Sequence, residues 1–229
     1  MEKLKSGVPG FDDICGGGLV RNTVILLSGG CGTGKSTFAL QFLIEGARNG
    51  ENGLYLSLED SQERIIENNA QFDWKLDKLI QDKKIIIQSS DIYDFDKLKT
   101  MIENLMEEYK AKRFVLDSTT ILGLFFDNRY QLRKGMIDLN KMVKKLDCTP
   151  MFISEIPEDS KLLSTYGIEE FVADGVVVLY SIKKRDVYRR GITIRKMRGT
   201  NHSQKVHPMQ ITNTGILVFP SEELFGVSP

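Results

Sequence analysis

Gly29-Gly30-Cys31-Gly32-Thr33-Gly34-Lys35-Ser36 satisfies G-x-x-x-x-G-K-[ST] and lies between an apolar run, Thr23 to Ser28, and a stretch of helical period. That flanking pattern, strand before and helix after, is the context a phosphate-binding loop requires. Glycines let the loop close tightly, so that the backbone N–H groups of Gly30, Cys31, Gly32, Thr33 and Gly34 point inward at a phosphate lying at the positive end of the following helix. Lys35 supplies a cation near the β- and γ-phosphates, the Ser36 hydroxyl a ligand for Mg²⁺, and Thr37 follows in the same helical turn. A Gly-rich strand-to-helix turn would need no nucleotide, and Cys31 reads as a tolerated small residue rather than a redox switch.

Outward from the loop, Phe38, Leu40, Phe42, Leu43 and Ala47 make one helical face. Leu98, Met101, Ile102, Leu105 and Met106 make another at i, i+3, i+4, i+7, i+8, and Tyr130 to Leu146 reads as a third helix. Short apolar runs at Gly53 to Leu58, Lys84 to Gln88, Arg113 to Asp117 and Thr149 to Ser154 alternate with them. Such alternation predicts a mostly parallel sheet flanked by helices. After residue 170 the pattern changes to strands at Asp174 to Ser181, Val187 to Lys196 and Gln210 to Val218. Turns are expected at Lys183–Asp186, Gly199–Asn201 and Asn213–Gly215, an antiparallel extension. Glu155 to Phe171, of mixed charge and no period, reads as a mobile loop.

The chain has 229 residues with 31 Lys+Arg against 31 Asp+Glu, 41% hydrophobic and 27% charged. That is one soluble α/β domain spanning residues 1–229, not a disordered, collagenous or coiled-coil chain. Neutrality argues against a general pull toward nucleic acid or anionic membrane. Cys15, Cys31 and Cys148 have neither disulfide nor zinc spacing. Met1 to Asp13 carries charge without an apolar core, and no apolar run is long enough to span a bilayer, so a cytoplasmic protein is expected.

A phosphate-binding loop needs a carboxylate beside its metal and a group to orient water. Arg113-Phe-Val-Leu-Asp117 is an apolar strand ending in an acid, which places Asp117 at the metal. Glu59-Asp60, just past another strand, puts two acids at the same edge. Glu59 then polarises the water and Asp60 supports it or the metal. The plainer reading has Ser57 to Ser61 capping the next helix, with the acids favouring its N-terminus. Ser154, closing the last parallel strand, is a candidate γ-phosphate sensor.

Several motifs together resemble the KaiC-like ATPases of the RecA superfamily, in a single-domain form of archaeal type. They are Ser6-Gly-Val-Pro-Gly-Phe-Asp12 with Gly16-Gly-Gly-Leu19, the loop Ser28 to Ser36 with Phe38-Ala-Leu-Gln-Phe-Leu43, and Ser57-Leu-Glu-Asp-Ser61. Tyr166-Gly-Ile-Glu-Glu-Phe-Val-Ala-Asp-Gly175 and Lys196-Met-Arg-Gly-Thr-Asn-His202 complete the set. The resemblance implies a RecA-type fold assembling into rings, commonly hexamers, with ATP between subunits, and the first functional reading is a ring that hydrolyses Mg·ATP slowly as a switch toward a regulatory protein. The resemblance also implies that Lys196 and Arg198 contact the neighbour's γ-phosphate, that Thr200 and His202 lie near that nucleotide, and that Gln71 lies on the adenine side. The family's usual second Glu is Asp60 here, one methylene shorter. Glu170 and Phe171 occupy the positions of the Ser-Thr pair that the clock protein's second domain phosphorylates, so autophosphorylation of that kind is not expected.

Charge sorts the same way. Lys183 to His207 holds nine Lys/Arg and one acid, a local +8, leaving 22 basic against 30 acidic residues elsewhere. Lys183 to Arg185 reads as a solvated hairpin face, whereas Lys196 and Arg198 suit cations that neutralise transition-state charge. A DNA-handling recombinase relative is the second reading. It wants cations in the loops after the Asp117 and Ser154 strands. The first, near Arg129-Tyr130 and Arg133-Lys134, is basic. The second, Glu155 to Asp174, holds six acids and one Lys, which favours the switch. A protein kinase ranks third, for want of an acceptor.

Overall fold

The computed structural model describes residues 1–91, 94–157, 160–184 and 187–224, with only the backbone of Lys184. In chain order the elements are β1 (Lys3–Leu4), α1 (Phe11–Ile14), β2 (Leu19–Val20), β3 (Ile25–Gly29), α2 (Lys35–Arg48), β4 (Gly53–Ser57), α3 (Gln62–Asn69), α4 (Leu76–Gln81), β5 (Ile85–Ser89), α5 (Phe95–Tyr109) and β6 (Arg113–Asp117). A 3-10 turn at Thr119–Phe125 then leads into α6 (Arg129–Lys145), β7 (Thr149–Glu155), α7 (Glu169–Val172), β8 (Gly175–Lys184), β9 (Val187–Met197), β10 (His207–Thr212) and β11 (Gly215–Val218).

Nine strands make one sheet in the order β11-β10-β9-β8-β3-β7-β6-β4-β5. From β8 to β5 every pairing is parallel, and β8–β9, β9–β10 and β10–β11 are antiparallel. The expected parallel sheet with an antiparallel extension is therefore present. Gln210 to Val218 divides at the residue 213–214 turn, where Thr212 pairs with Gly215. β3 and β4 are buried along their whole length, as strands covered on both faces must be. Ile25 and Leu27 pack on one face with α1, α2 and α3, and Leu26 packs on the other with α5 and α6. That is the alternation a strand imposes.

Side-chain caps set where the helices begin. Ser61 Oγ accepts from Arg64 N, Asp94 Oδ1 from Lys97 N and Asn128 Oδ1 from Gln131 N, opening α3, α5 and α6. The helix expected at Tyr130 to Leu146 is α6, one residue earlier at each end. The edge where the parallel strands begin is clamped by a buried cation. Arg113, 1% exposed, donates from Nε to Glu51 Oε2 at 2.7 Å and from Nη1 to Lys5 O and Phe42 O, with its guanidinium over the Phe42 ring. Arg21 Nη2 takes the other Glu51 oxygen at 2.6 Å.

Residues 155–171 are not a loose loop where they are described. Glu169 is 1% exposed and its carboxylate accepts from Ser154 Oγ, Ser164 Oγ, Tyr166 N and Ile168 N. Polar bonds, not an apolar period, tie the segment down, so hydropathy could not reveal it. The acids Glu158 and Asp159, and Arg185 and Asp186 of the hairpin turn, lie outside the described residues.

Candidate active site

β3 ends at Gly29, and the loop that follows leads directly into α2 at Lys35. Two of its positions require glycine by conformation, Gly32 at φ +67° and Gly34 at φ +101°. Gly29 requires it by space, since a Cβ there would lie 2.6 Å from Leu179 O. Thr33 Oγ1 staples the loop to Gly30 O at 2.9 Å. Lys35 is folded over the loop, with Nζ on Gly29 O at 3.1 Å and Gly30 O at 3.0 Å, and Glu155 Oε1 at 4.0 Å. Cys31 and Ser36 are exposed, Gly30 and Thr37 half-buried.

The parallel strands end together, and their last residues meet at the loop. Ser36 Oγ donates to Asp117 Oδ2 at 3.0 Å, joining two residues expected to share a metal. Tyr55 OH donates to the same oxygen. Burial pushes the Asp117 carboxyl above the usual carboxylate range and Glu59 adds to this, while Tyr55, Ser36 and Lys35 oppose it. A hydroxyl and a carboxylate are hard oxygen donors, and a divalent cation would relieve the desolvation of Asp117. The donor set therefore fits Mg²⁺. Glu59 accepts from Ser118 Oγ at 2.6 Å, so it faces the residue after Asp117. Asp60 pairs with Arg64, 3.2 Å from its Nη1, and its charge adds to the burial and the Asp117 contact that raise the Tyr55 phenol. Ser57 Oγ accepts from both Glu59 N and Asp60 N, and Ser61 caps α3. The capping arrangement and the approach of Glu59 to Asp117 thus coexist.

Lys196, Arg198, Thr200 and His202 are elsewhere. β9 runs against β8, so Lys196 pairs with Val176 and Met197 with Gly175, and Gly175 is level with Ile25 at the start of β3. The loop leaves the other end of that five-residue strand, so roughly 13 Å of strand separates the two edges. Lys196 Nζ donates to Glu170 O and Ala173 O, and burial lowers its pKa. Arg198 pairs with Asp174, Thr200 Oγ1 accepts from Lys3 Nζ, and His202 Nδ1 faces Ser203 O. Gln71, exposed after α3, donates to Asn68 O. The two groups of expected site residues therefore occupy opposite edges of one sheet.

Sequence reasoning missed Tyr55, Ser118, Lys144 and Asp174. Tyr55 carried a faint signal, a phenol in an otherwise apolar buried strand, where a buried hydroxyl needs a partner. The basic group expected in a loop after β6 lies instead on the first turns of α6, where Arg129 Nη2 is bonded to Tyr166 O.

Comparison with known proteins shows the family and the fold. The chain is 35% identical over 230 residues to the circadian clock oscillator protein KaiC of Prochlorococcus marinus, covering 96% of this chain and 45% of that one. It spans a little under half of that relative. An UPF0273 protein of Thermotoga maritima is 32% identical, with 97% of this chain and 98% of the relative covered. The crystal structure of a KaiC-like protein from Pyrococcus horikoshii superposes with a TM-score of 0.86 at 37% identity, covering 96% of this chain and 99% of that one. The sequence model of the KaiC ATPase matches residues 4–223, which take in both the loop at the end of β3 and the cations at its start, and the chain is a member of the KaiC ATPase family.

Proposed function

We propose that the chain, a single unit over residues 1–229, hydrolyses Mg·ATP slowly at a site completed by a second copy in a closed ring, of hexameric size. On this reading its ATP and ADP forms present different surfaces to a regulatory protein in the cytoplasm. Backbone amides of residues 30–35 and the Lys35 ammonium hold the phosphates. Ser36 and Asp117 hold the metal, which would neutralise phosphate charge. Glu59 orients and polarises the water, and Asp60, paired with Arg64, stands behind it as a fixed charge. Gln71 is assigned to the base side of the pocket. Lys196 and Arg198, with Thr200 and His202 beside them, serve the neighbouring copy's nucleotide.

The observation that carries this reading is the separation of the two edges. Cations at the start of β3 cannot reach a triphosphate at its own end, whereas in a head-to-tail ring each copy offers its edge to the next. Exposed Leu124, Tyr130, Leu162 and Phe171 support an association face. The nucleic-acid reading is weaker, because Arg129 is engaged with Tyr166.

Two measurements test it. Cys31 is exposed in the loop, while Cys15 and Cys148 are buried, with the Cys15 thiol pushed up to about 12 by desolvation and Cys148 also raised. Thiolate is the reactive form, so alkylation should report Cys31 alone in the folded protein. Saturating Mg·ATP is expected to slow that labelling roughly tenfold, corresponding to about 1.4 kcal/mol of lost access; an unchanged rate would place the nucleotide elsewhere. Light scattering is expected to give a multiple of 26.0 kDa in the presence of Mg·ATP. A monomer with and without nucleotide would remove the shared site and leave only the loop.

A further inference from the structure

Arg198 does not stand free in its own chain. Its Nη1 donates to Asp174 Oδ1 at 3.2 Å and its backbone N–H to Asp174 O at 3.1 Å. The second carboxylate oxygen, Oδ2, accepts from Val24 N at 3.0 Å and lies 2.5 Å from Lys144 Nζ. One carboxylate therefore joins three places, the residue before β3, the last turn of α6 and the segment after β9.

The burial is graded along this connection. The Asp174 side chain is 12% exposed, Lys144 37% and Arg198 63%. The anchor is inside and the guanidinium outside, using one of five N–H donors on the anchor. Burial alone would raise the Asp174 carboxyl, yet Lys144, the Val24 N–H and Arg198 hold it below its ordinary range, so the anchor is ionised at neutral pH. An ionised anchor with Arg198 as its sole cation would cancel the charge that Arg198 presents. With Lys144 on the other oxygen the trio is net +1, so the pair holds direction without losing charge. An ordinary structural ion triad gives the same distances, and the two differ in what happens to turnover.

We propose that Asp174 is the positioning residue that aims Arg198 at the neighbouring copy's triphosphate, and that Lys144 keeps Asp174 from neutralising it. This rests on the shared-site reading above and adds two residues to it. Lys196 shares the mount, because its Nζ is held by Glu170 O and Ala173 O immediately before the anchor.

The experiment is a double-mutant cycle read as turnover at saturating Mg·ATP, with Cys31 protection read in parallel. Asp174→Asn keeps an amide oxygen to accept from Val24 N, and its melting temperature checks the fold. It is expected to lower kcat about tenfold while Cys31 protection stays at the wild-type level, the signature of a group acting on the transition state only. Asp174→Asn combined with Arg198→Ala is expected to be no slower than Arg198→Ala alone. Lys144→Met should also lower kcat, and Lys144→Arg should restore it, which covers the case in which Asp174→Asn fails to fold. Wild-type kcat in a folded Asp174→Asn or, where that variant does not fold, in Lys144→Met, or an equal slowing of the Arg198→Ala background, overturns the proposal. Wild-type turnover in Arg198→Ala itself overturns the shared-site reading, and this inference with it, whereas a slow Arg198→Ala beside an unaffected Asp174→Asn overturns the inference alone.

Discussion

Arg198→Ala is expected to lower ATP turnover by roughly a thousandfold, the lower end of what an arginine directed at a transferring phosphoryl group supplies. Cys31 should still be protected by Mg·ATP, because the loop and the Ser36–Asp117 pair lie at the far edge of the sheet from the substitution. Lys35→Ala should be as slow for the opposite reason, a damaged loop beside an intact cationic edge. Mixed in equal amounts and allowed to exchange, the two inactive proteins should recover activity. A junction works when the Arg198→Ala copy supplies the loop and the Lys35→Ala copy the cations, about a quarter of the junctions in a randomly mixed head-to-tail ring. Recovery in proportion would be hard to obtain from a site built within one chain. Its absence, with exchange verified by labelled subunits, would mean that Arg198 acts on its own chain or only on structure.

The second large effect is on stability. Glu51→Ala is expected to cost about 3–5 kcal/mol, since it leaves the guanidinium of Arg113 buried without its carboxylate. By the size of the chain, that is a fall in melting temperature of roughly 10 °C. The pH dependence has a definite sign. Burial raises the Glu51 carboxyl, but Arg113 and Arg21 outweigh this and hold it below its ordinary 4.5. Its contribution is therefore complete above about 4.5 and is lost as pH falls through the depressed folded value. The difference in melting temperature between wild type and Glu51→Ala should be constant near neutrality and shrink below that pH. A gap that stays open in acid would mean that Glu51 contributes through packing and neutral hydrogen bonds rather than through its charge, whereas a gap that is small at every pH would mean that Phe42 O, Lys5 O and the Phe42 ring hold Arg113 without it. Replacing Arg113 and Glu51 together with methionine should be far milder than either alone, because it removes the desolvation of both charges.

These edges were unequally legible in the sequence. The loop was readable because its chemistry is local, with glycines, Lys35 and Ser36 all within eight consecutive residues between a strand and a helix. Asp117 was readable from strand termination, and the long helices α2, α5 and α6 from apolar period. Tyr55 and Ser118 were not, since their partners Asp117 and Glu59 are 62 and 59 residues away. The Lys144–Asp174–Arg198 mount is missing from the sequence reading for the same reason. The short elements failed differently. β1 and β2 have two residues each and α7 has four, too few to establish a period, and Glu169 is fixed by hydroxyl and backbone donors that no hydropathy pattern encodes.

The reversal of direction between β8 and β9 makes quantity matter as well as chemistry. A strand returning antiparallel carries its last residues back to the edge where the parallel strands begin, so one copy holds the loop and the Lys196–Arg198 cations at opposite edges of its sheet. On the shared-site reading, a scarce chain can hold nucleotide without consuming it. As the chain becomes abundant each newcomer closes a site with either edge, so output rises more steeply than expression until the rings are full. The protein then reports its own abundance, through nothing more than the sense in which one strand runs.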